Sequence, residues 1–390
     1  MTAIYDHVVA LLIFVAIFAS AVVVVPDIGL ACLLYVDQQQ LRNVALGALK
    51  VMALDVGSPA NWGSLYPFDQ DDLTRFGLAH GIASSFYVLD SDKVQRLVKD
   101  NPIGYVEYER MRELLGLQDY GFCINIIPSF TSTWTKNSDD QSLVDFTGKV
   151  TALCGKPIPK ADVDAVIVYC GEKANDVSFH VEKVESVRTD ALGTCSITRQ
   201  LLLQPGETLQ DVLVIFRVSV ADLATLVGTY HYRQSPDFAD AARFHSVGDD
   251  VILTIPPDKQ PKGARWIDYL AMIDEEGNVS FLHNGTRANE DKLTWGEGYE
   301  TWTTEIKGLE YYGPVLFVGG IWGVEDGREE VLAVGPFPNW FGPRVLQYGD
   351  AAGPSRSSSA VKLRRLVIVG GMVYLFEIIL WRELPLVWAD

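Results

Sequence analysis

The sequence has few cysteines and a shortage of basic residues. Its 390 residues include five cysteines, and 32 Lys and Arg stand against 50 Asp and Glu, which gives a net charge of −18. Such an acidic surface repels a phosphate backbone, so we predict no nucleic-acid partner. The cysteines form no CxxC pair and are too few for a disulfide scaffold. A single disulfide among Cys154, Cys170 and Cys195 is compatible with a domain in an oxidising compartment.

Motifs of the common enzyme classes are also missing. The chain has no HExxH, GxSxG, P-loop or GxGxxG sequence, and its six histidines are scattered. Acidic clusters at residues 69–72, 90–92 and 249–250 lack the glycine and the terminal glutamate of a calcium-binding loop, and we interpret them as helix caps or solvated turns. We therefore predict no catalytic residue, no cofactor and no metal, and the sequence favours a protein that is not an enzyme.

A long apolar run near the start of the chain is the strongest single feature. Residues 7–25 would reach roughly 28 Å as a helix, which is close to the hydrocarbon thickness of a bilayer. Apolar residues then recur on one helical face from Leu41 to Met52, and Gly57 ends the pattern. Residues 1–57 therefore predict a transmembrane helix that contacts lipid and continues as an amphipathic stem. A cleaved signal peptide is the alternative, although no Lys or Arg precedes the run.

A small α+β head is predicted for residues 58–130. Asp90 or Ser91 can cap a first helix, residues 105–117 have the pattern of a second helix, and residues 121–127 have the pattern of a strand. Each helix has one apolar face, and the stem has a matching one. We expect the stem and the head to pack together.

Short alternating strands separated by turns follow in residues 147–235. The run Gly155-Lys-Pro-Ile-Pro159 and the turn Thr189-Asp-Ala-Leu-Gly193 resemble motifs of immunoglobulin-like or transthyretin-like β-sandwiches in surface proteins. A second β-rich unit, rich in aromatic residues, is predicted for residues 240–345. These rings either fill its core, which we favour, or form a platform on which a glycan stacks. The candidate platform residues are Trp295, Trp302, Trp322 and Trp340.

The end of the chain has a weaker membrane signal. A tether at residues 350–361 precedes an apolar stretch at residues 362–388, which is long enough to cross a bilayer as a helix. An interfacial helix is the alternative. Glu377 lies inside this stretch, where a carboxylate is costly unless it is paired, so we predict that it contacts another membrane helix.

The sequence signals for the membrane topology contradict each other. Lys362, Arg364 and Arg365 flank the last apolar stretch on the side of the large domains, which favours a cytoplasmic location by the positive-inside rule. N-glycosylation sequons at Asn278 and Asn284, together with the tandem β-rich units, favour an extracytoplasmic location. Because long domains translocate largely regardless of flanking charge, we predict a protein of the cell membrane whose bulk is extracytoplasmic.

The first 130 residues carry distinctive motifs. They include Tyr5-Asp-His7, the segment VDQQQLRN at 36–43, Asn61-Trp-Gly-Ser64 and the segment FYVLDSDKVQRL at 86–97. Together they resemble archaeal membrane-anchored surface proteins that are related to type IV pilins. The resemblance implies a helical stem in the membrane or in a filament core, which contacts other copies or other filament subunits. It also implies that Asp6 meets the N-terminus of a neighbouring subunit.

The predicted fold class is an α+β membrane protein. It has a long N-terminal transmembrane and amphipathic helix, a small α+β head, two β-sandwich-like domains and a C-terminal hydrophobic helix. The predicted function is that of a non-enzymatic, membrane-anchored cell-surface protein, pilin-like or a minor component of a surface filament or secretion assembly, which displays its β-domains for assembly or adhesion. The alternatives are a carbohydrate-binding or carbohydrate-processing ectodomain and a cytoplasmic-facing membrane accessory subunit.

Overall fold

A computed structural model of the chain describes residues 13–15, 35–81, 87–99, 101–173, 176–221, 223–233, 243–255, 265–274, 278–284, 294–296, 299–307, 316–323, 327–334, 345–350 and 359–383. Its α-helices include α1 (residues 35–54), α2 (Ser91–Gln95) and α3 (Tyr108–Leu115). The strands of the first part of the chain are β1 (Val88–Leu89), β2 (Tyr120–Pro128), β3 (Phe130–Lys136), β4 (Leu143–Ala152), β5 (Asp162–Lys173), β6 (Asp176–Arg188), β7 (Thr194–Gln200), β8 (Thr208–Val220) and β9 (Leu223–Arg233). Those of the second part are β10 (Arg243–Val247), β11 (Asp250–Ile255), β12 (Arg265–Ile273), β13 (Val279–Asn284), β14 (Thr294–Gly296), β15 (Tyr299–Glu305), β16 (Leu316–Gly323), β17 (Gly327–Val334), β18 (Leu346–Gly349), β19 (Ala360–Val369) and β20 (Met372–Arg382).

Segments from both halves of the chain form one unit, which we call the base. It consists of α1, α2, α3 and a five-stranded sheet in the order β1-β19-β20-β2-β18. Strand β20 lies at the centre and pairs antiparallel with β19 and β2, while the short β1 pairs parallel with the end of β19. Residues of the three helices share one hydrophobic core with this sheet. The base therefore forms only when residues 35–128 and 346–382 come together.

Helix α1 buries the apolar face that the sequence predicts. The buried residues of this face, each at most 6% exposed, are Leu41, Ala45, Ala48, Leu49 and Met52. They belong to the core of the base, so the predicted packing of this face against the head is confirmed. Burying each of the two leucines and the methionine stabilises the fold by about 2 kcal/mol.

The C-terminal apolar stretch is a β-hairpin, and the predicted hydrophobic helix is wrong. Strands β19 and β20 pair along their whole length, and only Gly370 and Gly371 separate them. Both glycines have positive φ, 53° and 78°, as a two-residue type I′ turn requires. On β20, alternate residues from Tyr374 to Leu380 enter the core. The residues between them, such as Val373, Leu375 and Ile379, are half-buried and also apolar, so the strand is a nearly continuous apolar run, which explains the misinterpretation.

The predicted fold class is therefore corrected to a mostly β protein. Within the described residues no helix combines the length and the apolarity needed to cross a membrane. Of the apolar run at residues 7–25, the structure describes residues 13–15, which are helical. Helix α1 covers the amphipathic part of the predicted stem, and its apolar face packs inside the base.

The first β-sandwich lies between β2 and the second sandwich in the chain. A three-stranded sheet, β3-β4-β7, faces a four-stranded sheet, β6-β5-β8-β9. Inward-facing residues alternate along the strands, as Val144, Phe146 and Val150 do on β4. Between the sheets, the rings of Trp134 and Phe216 stack with centroids 3.5 Å apart. This confirms the predicted β-sandwich, but the sandwich begins with β3 at Phe130 and not at residue 147.

The second β-sandwich has two four-stranded sheets, β10-β11-β15-β14 and β13-β12-β16-β17. Its core combines residues of both sheets, among them Phe244, Leu253 and Trp302 on one side and Leu270 and Phe317 on the other. Because β18 returns to the base sheet, both sandwiches are inserted between β2 and β18. The head and the C-terminal stretch share one sheet, although the sequence predicts them as separate units.

The turn between β19 and β20 gives a direct test of the hairpin. Replacing Gly371 by Val forces a β-branched residue into a positive-φ conformation, and we expect the free energy of unfolding to fall by roughly 1–3 kcal/mol. Gly370→Asn is the matched control, because asparagine followed by glycine is favoured in this turn and should leave stability nearly unchanged. Urea denaturation followed by tryptophan fluorescence measures both variants. Equal stability of Gly371→Val and the parent would contradict the hairpin.

Candidate functional site

Four polar side chains in and next to α2 are buried, although such residues usually face solvent. None of them is more than 7% exposed. They are Asp92, Lys93, Gln95 and Arg96, and we call them the polar hub. The segments around them, residues 55–81 and 101–107, contain little regular secondary structure, so some of their carbonyl groups need donors other than backbone N–H groups. The hub supplies these donors.

Lys93 is held by one carboxylate and two carbonyl groups. Asp90 caps α2 by accepting hydrogen bonds from the backbone N–H groups of Asp92 and Lys93, which confirms Asp90 as the predicted cap. The Nζ of Lys93 lies 3.5 Å from the Asp90 carboxylate and donates to the carbonyls of Val56 and Ala79 at 3.0 and 2.8 Å. Burial lowers the pKa of Lys93, and the Asp90 carboxylate opposes that effect.

Arg96 connects two separate segments of the base. Its guanidinium donates to the carbonyl of Gly63 at 3.0 and 3.1 Å and to that of Leu65 at 2.6 Å. It also donates to the carbonyls of Ile103 and Gly104, the latter at 3.4 Å. The planar fork of five N–H donors makes this possible, whereas a lysine could not reach both segments.

Asp92 joins the base to the second sandwich. Its carboxylate accepts hydrogen bonds from the Ser64 hydroxyl at 2.9 Å, the Ser246 hydroxyl at 2.6 Å and the Gly248 N–H at 2.7 Å. The Nε2 of Gln95 donates to the Ser246 carbonyl. Ser246 and Gly248 lie 154 and 156 residues after Asp92, at the turn between β10 and β11. We call this contact between α2 and the β10–β11 turn the joint.

An apolar cluster completes the joint. Ile103 of the base packs with Val247 and Ile252 of the second sandwich, and all three are buried. Gly248 has a φ of +63°, a conformation that favours glycine. The turn that presents its N–H to Asp92 therefore depends on this glycine.

The pKa of Asp92 is raised from 3.8 to about 6, mainly by burial and further by the nearby Asp90 carboxylate. The hydrogen bonds from Ser246, Gly248 and Ser64 act in the opposite direction. Burial dominates because removing a carboxylate from water costs more than these donors return. The joint therefore contains a carboxyl group that titrates in mildly acidic solution.

The hub is suited to holding segments together rather than to chemistry. Its ammonium and guanidinium groups are engaged by backbone carbonyls, and four donors, one of them the Gln95 amide, converge on its carboxylate. In the part of the chain that the structure describes, no group of three or more His, Cys, Asp or Glu side chains could hold a metal ion. We infer a structural role for the hub.

Glu377, which the sequence singles out, has its partners inside the base. Its carboxylate, buried in β20, accepts hydrogen bonds from Arg364 Nε at 2.7 Å and Asn125 Nδ2 at 3.1 Å, and lies 3.0 Å from Lys362 Nζ. Burial alone would raise its pKa, but these partners outweigh burial and hold the pKa below its usual value. The predicted pairing of this costly carboxylate thus occurs between strands and not between membrane helices.

Three of the four candidate platform tryptophans lie in the described residues, and they are divided between the two sheets of the second sandwich. Trp302, 7% exposed, belongs to its core, so the interpretation as core holds for this residue. Trp295 lies on β14 in the same sheet, and Trp322 lies on β16 in the opposite sheet. Trp340 lies outside the described residues.

The remaining predicted residues are scattered. Cys154 is exposed and Cys195 is buried, and both are free thiols, so these two do not form a disulfide. The side chain of Cys170 is outside the described set. Asn278 is exposed, and its side-chain amide donates to Asp274 at 2.8 Å. Asn284 ends β13, and Asp6 lies outside the described residues.

The polar hub is not predicted from the sequence. Within the segment DSDKVQRL, Asp92, Lys93 and Arg96 are interspersed with Val94 and Leu97, so no face of this segment is wholly polar. This mixed pattern is the one local signal of complete burial. Nothing in the sequence near residue 246 indicates a contact with residue 92, because the two are brought together only by the insertion of the sandwiches.

Comparisons with known proteins give only distant similarities. No protein family and no curated protein matches the sequence. Among solved structures, trypsin-activated α-2-macroglobulin from Escherichia coli has a TM-score of 0.22 and 11% identity, over 61% of this chain and 19% of that chain. Invasin, a bacterial integrin-binding protein, has a TM-score of 0.17 and 10% identity over 64% of this chain and 54% of that chain. The chain spans less than a fifth of the α-2-macroglobulin, and similarities this weak identify neither its family nor its function.

The raised pKa of Asp92 predicts an unusual pH dependence of stability. The folded state binds the proton more tightly than the unfolded state, so the stabilisation is complete below pH 3.8 and is lost as the pH rises through about 6. A difference of about two units corresponds to roughly 3 kcal/mol. We therefore expect Asp92→Asn to lose less stability than the parent between pH 4.5 and 7.5, measured by urea denaturation.

Asp71→Asn, at an exposed position of the base, is the matched control and should keep the pH profile of the parent. Identical profiles for the parent and Asp92→Asn would show that this carboxyl group does not titrate at the joint.

Proposed function

We propose that this protein is a non-enzymatic cell-surface protein whose base presents two tandem β-sandwiches for assembly or adhesion. The single observation behind this proposal is the joint, in which Asp92 and Gln95 of the base bind the β10–β11 turn of the second sandwich. A protein that displays domains needs them held in a defined orientation. The joint provides a fixed contact in addition to the covalent connections.

The insertion of the sandwiches supports the same conclusion. The chain leaves the base after β2 and returns to it at β18, so the pair of sandwiches is tied to the base at both ends. The orientation of an inserted unit is restricted more than that of a unit at the end of a single flexible linker. The buried charges of the hub are engaged in this architecture, which is consistent with a structural rather than a catalytic role.

The cell-surface location and the relation to type IV pilins remain proposals that rest on the sequence. The sequons and the tandem sandwiches favour an extracytoplasmic location. Lipid, other copies of the chain or other subunits of a surface assembly are the partners we propose for the apolar residues 7–25. A minor, assembly-associated component fits this set of features better than a catalytic subunit.

Labelling of intact cells with a membrane-impermeant amine reagent tests the location. Lys156 and Lys160 are exposed on the loop between β4 and β5, and we expect both to react without lysis. Lys93 has no exposed surface and serves as the internal control, since it should react only after denaturation. Modification of Lys156 and Lys160 only after lysis would instead indicate the cytoplasmic-facing alternative. Mass spectrometry of the modified peptides reads out all three positions.

Presentation through the joint can be tested with Asp92→Ala, which leaves two hydroxyls and one N–H without their acceptor. We expect the variant to reach the cell surface at the parent level but to lower adhesion or assembly by at least severalfold. Asp71→Ala, exposed and outside the joint, should behave as the parent. Undiminished adhesion and assembly would argue against a role for the fixed joint.

A further inference from the structure

The base contains a cleft beside Arg96. It has a volume of about 470 Å³ and lies between residues 66–70 and residues 101–107. Pockets for small ligands commonly measure roughly 300–1,000 Å³. The cleft is therefore large enough for a ligand of one or two rings.

Both walls of the cleft are fixed in place before any ligand arrives. Arg96 donates hydrogen bonds to the carbonyl of Leu65, the residue that precedes the first wall, and to the carbonyl of Gly104 in the second wall. The Oε1 of Gln70 accepts a hydrogen bond from the Glu107 N–H at 3.0 Å, which links the two walls directly. A ligand that enters such a preformed cleft does not have to order its walls, so more of its contact energy remains for binding.

Aromatic rings supply the apolar part of the lining. They belong to Tyr66, Phe68 and Tyr105. Tyr66 is 48% exposed, which is unusual for a large ring that could pack against the core. The guanidinium of Arg96 lies 4.7 Å from the centroid of Phe68. The tyrosines therefore offer ring surface to a ligand, and the positive charge of Arg96 lies close to the ring of Phe68.

The remainder of the cleft lining is polar. Asp69, Gln70, Asn101 and Glu107 supply the polar part of the lining, and no Lys, Arg or His is among the described residues that line the cleft. The Asn101 amide is engaged by the Gln95 carbonyl and the Ile103 N–H, and one oxygen of Asp69 accepts from the Asp71 N–H. Glu107 precedes α3 but makes no capping hydrogen bond with its side chain, so its carboxylate remains available. Carboxylates without a basic partner disfavour an anionic ligand, and they accept hydrogen bonds well from hydroxyl groups.

We propose that this cleft binds a neutral saccharide of one or two units. The C–H face of a sugar ring packs on Tyr66 or Tyr105, and hydroxyl groups donate hydrogen bonds to Glu107 and Asp69. Arg96 already covers one face of Phe68, so an organic cation, the other ligand that stacks on aromatic rings, would have to stack on the tyrosines. Because the two carboxylates would also attract a cation, the test includes one as the comparator. The site is separate from the candidate tryptophans of the second sandwich and does not depend on where the protein is located.

A neutral-glycan array probed with the full-length chain tests this proposal. Glycans that are retained are then titrated in solution by calorimetry, with choline as the cationic comparator. Glu107→Gln preserves the shape of the cleft but removes the charged acceptor, and we expect it to weaken binding at least tenfold. Tyr66→Ala removes the stacking surface and should weaken binding by a similar factor. Tyr35→Ala, at a ring that is 64% exposed outside the cleft, is the control and should bind as the parent does.

The proposal is supported if a neutral glycan binds and both cleft variants weaken it while the control does not. It is overturned if no neutral glycan is retained, if both cleft variants bind as the parent does, or if only choline binds. Cell labelling of Lys156 and Lys160 is read out independently, so failure of one proposal leaves the other intact.

Discussion

The fold of the base depends on two buried cationic side chains, Lys93 and Arg96. They donate hydrogen bonds to backbone carbonyl groups that have no backbone N–H partner among the described residues. Residues 55–81 and 101–107 form few regular elements, so backbone N–H groups satisfy only some of their carbonyl groups. Lys93 and Arg96 donate to six of these carbonyls. Leaving such groups without partners would cost about 1–3 kcal/mol each, so the hub decides whether these segments can be buried at all.

The two buried carboxyl groups of the base respond to acid in opposite directions. Burial prevails at Asp92 and raises its pKa, while Arg364, Lys362 and Asn125 prevail at Glu377 and lower its pKa. Protonation therefore favours the folded state at the joint and disfavours it within the sheet. The difference follows from the partners: Asp92 receives neutral donors, whereas Glu377 receives two cations.

The sequence predicts those parts of the fold that are governed by local periodicity. The apolar face from Leu41 to Met52 recurs with the helical period, and it is the face that α1 buries. Alternation along β5 likewise indicates the inward side of a sandwich strand, on which Val163, Ala165 and Ile167 are buried. The hairpin of β19 and β20 was misread because a central strand and a membrane helix are both apolar along their whole length. In retrospect, Gly370-Gly371, in the middle of that run, was the signal for a turn.

The candidate site could not be predicted in this way, because its contacts join residues far apart in the chain. Asp92 and Ser246 are 154 residues apart, and no local pattern relates them. Their meeting depends on how two inserted domains fold back onto the base. The cleft beside Arg96 is similar, since its walls come from two loops whose spacing is set by one guanidinium and not by any periodic element.

The position of β20 has a consequence for biosynthesis. This strand is the centre of the base sheet, yet residues 372–382 leave the ribosome only after the whole of both sandwiches. Each sandwich is complete within its own stretch of chain and can fold while synthesis continues, but the apolar faces of α1 and β2 must wait for the hairpin of β19 and β20. A polypeptide released before β19 and β20 would have folded sandwiches but an unfolded base, with its hydrophobic surfaces exposed to chaperones and proteases.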